Sequence, residues 1–255
     1  MGKIIAVTNQ KGGVGKTTTQ VNLSACVAAL GKSVLSIDLD PQANASSGLG
    51  IQAAPGGSLY DVLTGDREAA SCVVDTVVLG LRLLPADIRL AAAEVELVNR
   101  ASREYVLKEA LAPLKNQYDY LFIDCPPSLG LLTINALCAA DCALVPIQCE
   151  YYALEGVGQL TNTVMRVQRG LNPRLDIEGV VLTMLDGRTN LGLQVVQEVK
   201  KHFRNKVYGT TVPRNVRLSE APSHGLPIHL YDARSMGAEA YRELAKEFLR
   251  RSEGA

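Results

Sequence analysis

Residues 10–18 read Gln-Lys-Gly-Gly-Val-Gly-Lys-Thr-Thr, a glycine-rich stretch carrying two lysines and two hydroxyls. Glycines 12, 13 and 15 free consecutive backbone N–H groups to turn toward one anion, and a helix starting there adds its positive end. The chemistry this spacing suits is phosphate binding, with Lys16 reaching the β and γ phosphates and the Thr17 hydroxyl placed on Mg²⁺. The usual pattern is G-x-x-x-x-G-K-[ST]. Here Gln10 takes the first glycine position and a second lysine, Lys11, follows it. A dinucleotide fingerprint fits poorly, because Gly13-x-Gly15-x-x-Thr18 lacks the third glycine and that motif has no use for Lys-Thr.

Two acidic groups stand downstream. Asp38-Leu39-Asp40-Pro41-Gln42 follows the β-rich run 33–37 by one βα unit, on the edge where open α/β sheets bind ligands. Alone, two acids before a proline also suit a plain turn. Tyr120-Leu121-Phe122-Ile123 ends in Asp124, a Walker B pattern in which Asp124 holds Mg²⁺ through water and residues 125–128 form a switch sensing the γ phosphate. An acid ending a buried strand is otherwise costly to place.

The elements that must position these residues alternate regularly. Strands are predicted at 4–7, 33–37, 81–85, 120–123, 143–147 and 178–184, with a last apolar run at 207–212. Helices are predicted from the glycine loop to near Gly31, then at 59–63, 91–98, 104–114, 129–140, 154–171 and 192–203, while 43–58 reads as a loop. Such alternation implies a mostly parallel twisted sheet with helices on both faces, and together with the glycine loop and the length of 255 residues it reads as one α/β P-loop NTPase domain over 1–255.

Composition narrows the class. With 47% hydrophobic residues the chain can bury a sizeable core, and its formal net charge is zero. Six cysteines lie mostly within apolar runs and never as C-x-x-C, which reads as reduced cytosolic thiols. Cys138 and Cys142, four residues apart, fall short of a metal site without further ligands. No apolar stretch approaches the ~20 residues that span a bilayer, and no signal peptide is read. His202, His224 and His229 stand beside no Ser or Cys nucleophile motif.

K-G-G-V-G-K-T-T resembles the deviant Walker A loop of the ParA/MinD/nitrogenase-iron-protein ATPases. C-E-Y-Y-A-L-E-G (149–156), L-T-M-L-D-G-R-T-N-L (182–191) and V-P-R-N-V-R-L-S-E-A-P-S-H-G (212–225) resemble its Soj/ParA branch, so the likeness covers nearly the whole chain. It implies a weak ATPase using ATP and Mg²⁺, with Lys11, Lys16 and Asp40 as its catalytic residues. In that family a lysine matched by Lys11 crosses a dimer interface to the partner's nucleotide, and the Asp40 position orients the attacking water. The resemblance also assigns nucleotide contacts to Lys11, Gly12, Gly13, Val14, Gly15, Lys16, Thr17 and Thr18. It puts the base near Met184, Pro213 and Asn215, and the metal on Thr17, Asp40 and Asp124.

Three functions from different classes fit that family. The Soj/ParA likeness implies an ATP-dependent homodimer on nonspecific double-stranded DNA, released when a ParB/Spo0J-like protein stimulates hydrolysis, in a cytoplasmic, nucleoid-associated setting. A MinD-like positioning ATPase would need a basic amphipathic C-terminal helix. Tyr241, Leu244, Ala245, Phe248 and Leu249 make an apolar stripe beside Lys246, Arg250 and Arg251, but such a stripe is more often core packing, and no membrane partner is expected. Electron transfer like the nitrogenase iron protein would need a cysteine-held cluster at a dimer axis. Residues 166–217 hold ten Lys/Arg against four Asp/Glu in a chain that is neutral overall. That asymmetry is the usual footprint of a phosphate-binding face, although a solvated helix face would also produce it. Within it, Arg188 and Arg217 match positions the Soj family uses for DNA.

Overall fold

The chain enters the middle of its sheet first, because Lys3–Val7 (β1) is buried almost throughout and pairs on both sides. The computed structural model describes residues 2–150, 153–185 and 190–254. The other strands are β2 (Val34–Asp38), β3 (Val74–Asp75), β4 (Leu81–Leu84), β5 (Tyr120–Asp124), β6 (Cys142–Gln148), β7 (Asp176–Leu185) and β8 (Val212–Pro213). They form one sheet in the order β3-β4-β2-β5-β1-β6-β7-β8, parallel except where β3 meets β4.

The helices are α1 (Lys16–Ala29), α2 (Asn44–Gly48), α3 (Leu59–Thr64), α4 (Ala69–Cys72), α5 (Leu90–Glu96), α6 (Val106–Leu111), α7 (Leu131–Ala139), α8 (Ala153–Gly170), α9 (Asn190–Phe203), α10 (Val216–Glu220), α11 (Ile228–Tyr231) and α12 (Met236–Glu253). Strand alternation divides them into two layers. Ile4, Ala6, Leu121 and Ile123 face the layer built by α3 to α9. Ile5, Val7, Tyr120 and Phe122 face the layer of α1, α2 and α10 to α12. Cys138 and Cys142 fall in opposite layers, so their spacing in sequence brings no shared ion.

The predicted single α/β architecture with a mostly parallel sheet is the observed one. Three local readings change. Residues 44–48 form helix α2 inside the predicted loop, held by the Ser46 N–H and hydroxyl, which both donate to Asp38 at 2.7 Å. The run 207–212 is mostly not strand, because the Gly209 and Thr210 N–H groups donate to Glu247 of α12 at 2.9 Å instead of to a neighbouring strand. The two-residue strand β3 is too short to show a period.

Candidate functional site

The glycine loop leaves β1 between the carboxyl ends of β5 and β6, where strand order reverses and an open α/β sheet offers its crevice. Asn9 anchors its start: its Nδ2 donates to the Pro146 carbonyl at 2.7 Å and its Oδ1 accepts from the Lys11 N–H at 3.0 Å. Gly13 and Gly15 have φ of 75° and 86°, a left-handed backbone that glycine adopts without strain. Gly15 precedes α1 without a side-chain cap, and the helical ladder begins only with the Thr19 N–H on the Gly15 carbonyl, 2.9 Å away. The first N–H groups of α1 are therefore free of intrahelical partners. Lys16, the first residue of α1, is 7% exposed and its Nζ donates to the Lys11 carbonyl at 3.1 Å. Burial lowers its pKa, while Asp124, the Cys125 thiol and Asp40 pull the other way. Lys11 is half-exposed and Val14 buried.

The acids converge through strand register. Asp38 pairs with Asp124 across β2 and β5, and Val7, the last residue of β1, pairs with Asp124 across β1 and β5. Asp38 is fully buried and accepts from Ser46 twice and from the Asp40 N–H at 3.2 Å. Burial raises its pKa against those bonds. Asp124 is fully buried, and neither carboxylate oxygen has a hydrogen-bond partner. Its pKa is pushed well up by burial first and by the charge of Asp38 second, with Asp40 adding to the rise and the neighbouring Thr17 hydroxyl and Lys16 opposing it. A partnerless buried carboxylate of this kind costs stability unless a cation meets it. Asp40 is 7% exposed and caps its own turn, its Oδ1 accepting from the Gln42 N–H at 2.9 Å.

Beyond Asp124, the Cys125 N–H donates to the Val7 carbonyl at 3.2 Å. Thr133 Oγ1 donates to the Ser128 carbonyl at 2.6 Å. These contacts tie residues 125–128 to β1 and α7. On the far side of the loop, β7 reaches Thr183, whose hydroxyl donates to the Val14 carbonyl at 2.8 Å. Met184 follows with φ of 52°, and the pairing of β7 with β8 slips between Thr183 and Leu185. Pro213 ends β8, and Asn215 caps α10 by accepting from the Arg217 N–H at 2.8 Å. Arg217 is 54% exposed and lies 2.8 Å from Glu220 and 3.5 Å from Asp232. Arg188 lies outside the described residues.

The structure thus gathers Lys16, Thr17, Asp40 and Asp124 at one crevice and lines up Met184, Pro213 and Asn215 along the β7–β8 edge. Sequence reading gave no role to Asn9, Asp38, Ser46 or Thr183. A hydroxyl in the otherwise apolar run Val180-Val181-Leu182 was the visible sign of Thr183. Nothing in the run 43–58 marked Ser46.

A family model described as "AAA domain" matches residues 2–177. The sporulation initiation inhibitor protein Soj of Bacillus subtilis is 64% identical over 97% of this chain and 98% of its own length. The chromosome partitioning protein ParA of Myxococcus xanthus is 54% identical over 98% of this chain and 89% of its own. The chain belongs to the Soj/ParA family of chromosome-partitioning ATPases. Among solved structures, cobyrinic acid a,c-diamide synthase of Mycobacterium smegmatis with bound ADP and magnesium shares 41% identity and a TM-score of 0.87, covering 99% of this chain and 96% of that one. The cell division ATPase MinD of Pyrococcus furiosus shares 28% identity and a TM-score of 0.82 over the whole of both chains.

Within this Soj/ParA chain the C-terminal stripe is core. Tyr241, Leu244, Ala245 and Phe248 are buried under the sheet, with Leu249 packed at their margin. Among the described residues no helix is long and apolar enough to cross a membrane. No three His, Cys, Asp or Glu among them group as a metal cluster, and the six cysteines are buried, free thiols.

Proposed function

We propose that this Soj/ParA ATPase is an ATP-driven dimerising switch for chromosome or plasmid segregation. ATP joins two copies, the pair holds double-stranded DNA without regard to sequence, and a ParB/Spo0J-like protein stimulates the slow hydrolysis that releases it. The observation that carries the nucleotide half is the buried, partnerless Asp124 carboxylate beside Thr17, Lys16, Asp38 and Asp40. That donor set suits a hard divalent cation. The Thr17 hydroxyl, Asp40 and Asp124 would hold Mg²⁺, the last through water. When bound, Mg²⁺ supplies positive charge against the β and γ phosphates.

The residues of the chain do the rest. Backbone N–H groups from Gly12 to Thr18 cradle the phosphates, and Lys16 exchanges the Lys11 carbonyl for the β and γ oxygens. Asp40 orients the attacking water. Lys11 crosses to the partner copy's nucleotide, because a second lysine five residues before Lys16 crowds poorly onto the same phosphates. Met184, Pro213 and Asn215 border the base. Solved neighbours bound to ADP, or to an ATP analogue, with magnesium support this assignment.

The DNA half rests on the charge asymmetry of 166–217 and on Arg188 and Arg217, which act in the cytoplasm on the nucleoid. Two arginines from each copy make four phosphate contacts, so the log-log salt slope of ATP-dependent binding is about −3.6, and a monomer with two contacts binds weakly. The test is a salt titration on unrelated duplexes with ATP, with anionic liposomes in parallel. Equal binding by an Arg188→Ala, Arg217→Ala double variant, preference for one duplex, or co-sedimentation with liposomes instead of DNA overturns the reading.

A further inference from the structure

We propose that Thr183 aims the phosphate loop: its hydroxyl grips the Val14 carbonyl and thereby turns the Gly15 N–H toward the nucleotide. The inference rests on reading residues 10–18 as the nucleotide loop. Strand β7 approaches the site as Val180-Val181-Leu182, all fully buried, and Thr183 itself is 2% exposed. Valine would fill this place in a strand equally well, so the hydroxyl is the exception. A buried hydroxyl needs a partner, and this one finds it outside the sheet, in the Val14 carbonyl at 2.8 Å. The backbone of Thr183 is fixed independently, its carbonyl accepting from the Cys149 N–H at 3.1 Å.

The loop needs that grip. Val14 is buried, and the ladder of α1 starts one residue later at the Gly15 carbonyl. In a planar trans peptide the C=O and the N–H point to opposite sides. Holding the Val14 carbonyl toward β7 therefore directs the Gly15 N–H away from β7, into the turn of the loop. Gly15, at φ 86°, has no side chain to fix that peptide, and a Cβ built on it would stand 3.7 Å from Thr183 Cγ2. One side chain thus lies along both halves of the Val14–Gly15 peptide. The next residue on β7 is Met184, so the same strand tip joins phosphate cradle and base edge.

The test compares Thr183→Val, Thr183→Ser and Lys16→Ala with the natural chain, by titration of fluorescent ATP and ADP analogues and by steady-state hydrolysis. Thr183→Val keeps the shape and loses the donor. It should raise Kd for both nucleotides and KM about tenfold, the net worth of one buried hydrogen bond at 1.4 kcal/mol per decade. Its kcat should stay within about twofold, since the grip acts on binding and not on the transition state alone. Thr183→Ser restores the donor and should restore affinity. Thr183→Ala gives the same loss if the valine chain does not fold. Natural affinity in Thr183→Val together with lost affinity in Lys16→Ala overturns the role of Thr183 and leaves the loop reading standing. Natural affinity in both overturns the loop reading. A serine variant as weak as the valine one also overturns the proposal, because methyl packing would then be what holds the loop.

Discussion

The Tyr241 hydroxyl lies 3.1 Å from Thr19 Oγ1, a fully buried contact between the C-terminal helix and the helix that begins at Lys16. Tyr241→Phe removes that bond and leaves the ring packed. The loss should be about 1 kcal/mol, lowering the melting midpoint by roughly 2–4 °C for a domain of this size. Thermal melts without nucleotide read it, and an unchanged midpoint would show that the contact contributes nothing.

Asp124→Asn should separate stability from activity. The natural carboxylate is buried without a partner and disfavours its own charge, so the amide should stabilise the nucleotide-free chain by roughly 1–2 kcal/mol. Mg²⁺-dependent ATP hydrolysis should be lost in the same variant. A lower melting midpoint in EDTA would contradict the account of Asp124.

Asp40→Ala and Lys11→Ala should fail at different steps. The first should bind ATP and accumulate as a dimer with hydrolysis abolished; the second should bind ATP and elute as a monomer. Size-exclusion runs with ATP, alongside phosphate release, distinguish them, and a Lys11→Ala dimer at the natural concentration would end the idea of action across the interface.

Glu247 links stability to pH. Burial alone would raise its pKa, but the Gly209 and Thr210 N–H groups and Arg251 more than offset that and hold it below the ordinary 4.5. Because the folded value is the lower one, the contribution is present above pH 4.5 and fades as pH falls through the folded value. Glu247→Gln should therefore cost about 1–2 kcal/mol at neutral pH, with the gap to the natural chain closing in acid. Urea titrations at neutral and acid pH measure it; a gap that widens in acid reverses the sign.

Arg217 is held by Glu220 and Asp232, both of which would compete with a DNA phosphate if Arg217 makes the proposed contact. Glu220→Ala should tighten ATP-dependent DNA binding at low salt, with the difference shrinking as salt rises. Weaker binding would place Arg217 outside the DNA contact.

The glycine loop, the Walker B strand and the helix–strand alternation were legible because each rests on local spacing: φ freedom at Gly13 and Gly15, the apolar run before Asp124, and the switch between periods of 2 and 3.6. What was hidden depends on long-range partners. Helix α2 exists because Ser46 finds Asp38, and the chain leaves the sheet at Gly209 and Thr210 because Glu247, some forty residues on, takes their N–H groups. The acid cluster follows from register between β2 and β5, which no single stretch of sequence expresses.

Burial pushes the Cys138 and Cys149 thiols up to about 11 and Cys26 to about 12, with Cys125 and Cys142 raised as well. Cys72 is buried as well, and since the thiolate is the reactive form of the others, a maleimide at neutral pH meets a folded chain whose native thiols are slow to react. One cysteine introduced on the surface would then carry a fluorophore or spin label alone, without the six native thiols being removed first. The same silence makes those thiols a clock of opening: each becomes modifiable only as its layer of the sheet comes apart, so the order of labelling would tell which side of the molecule yields first.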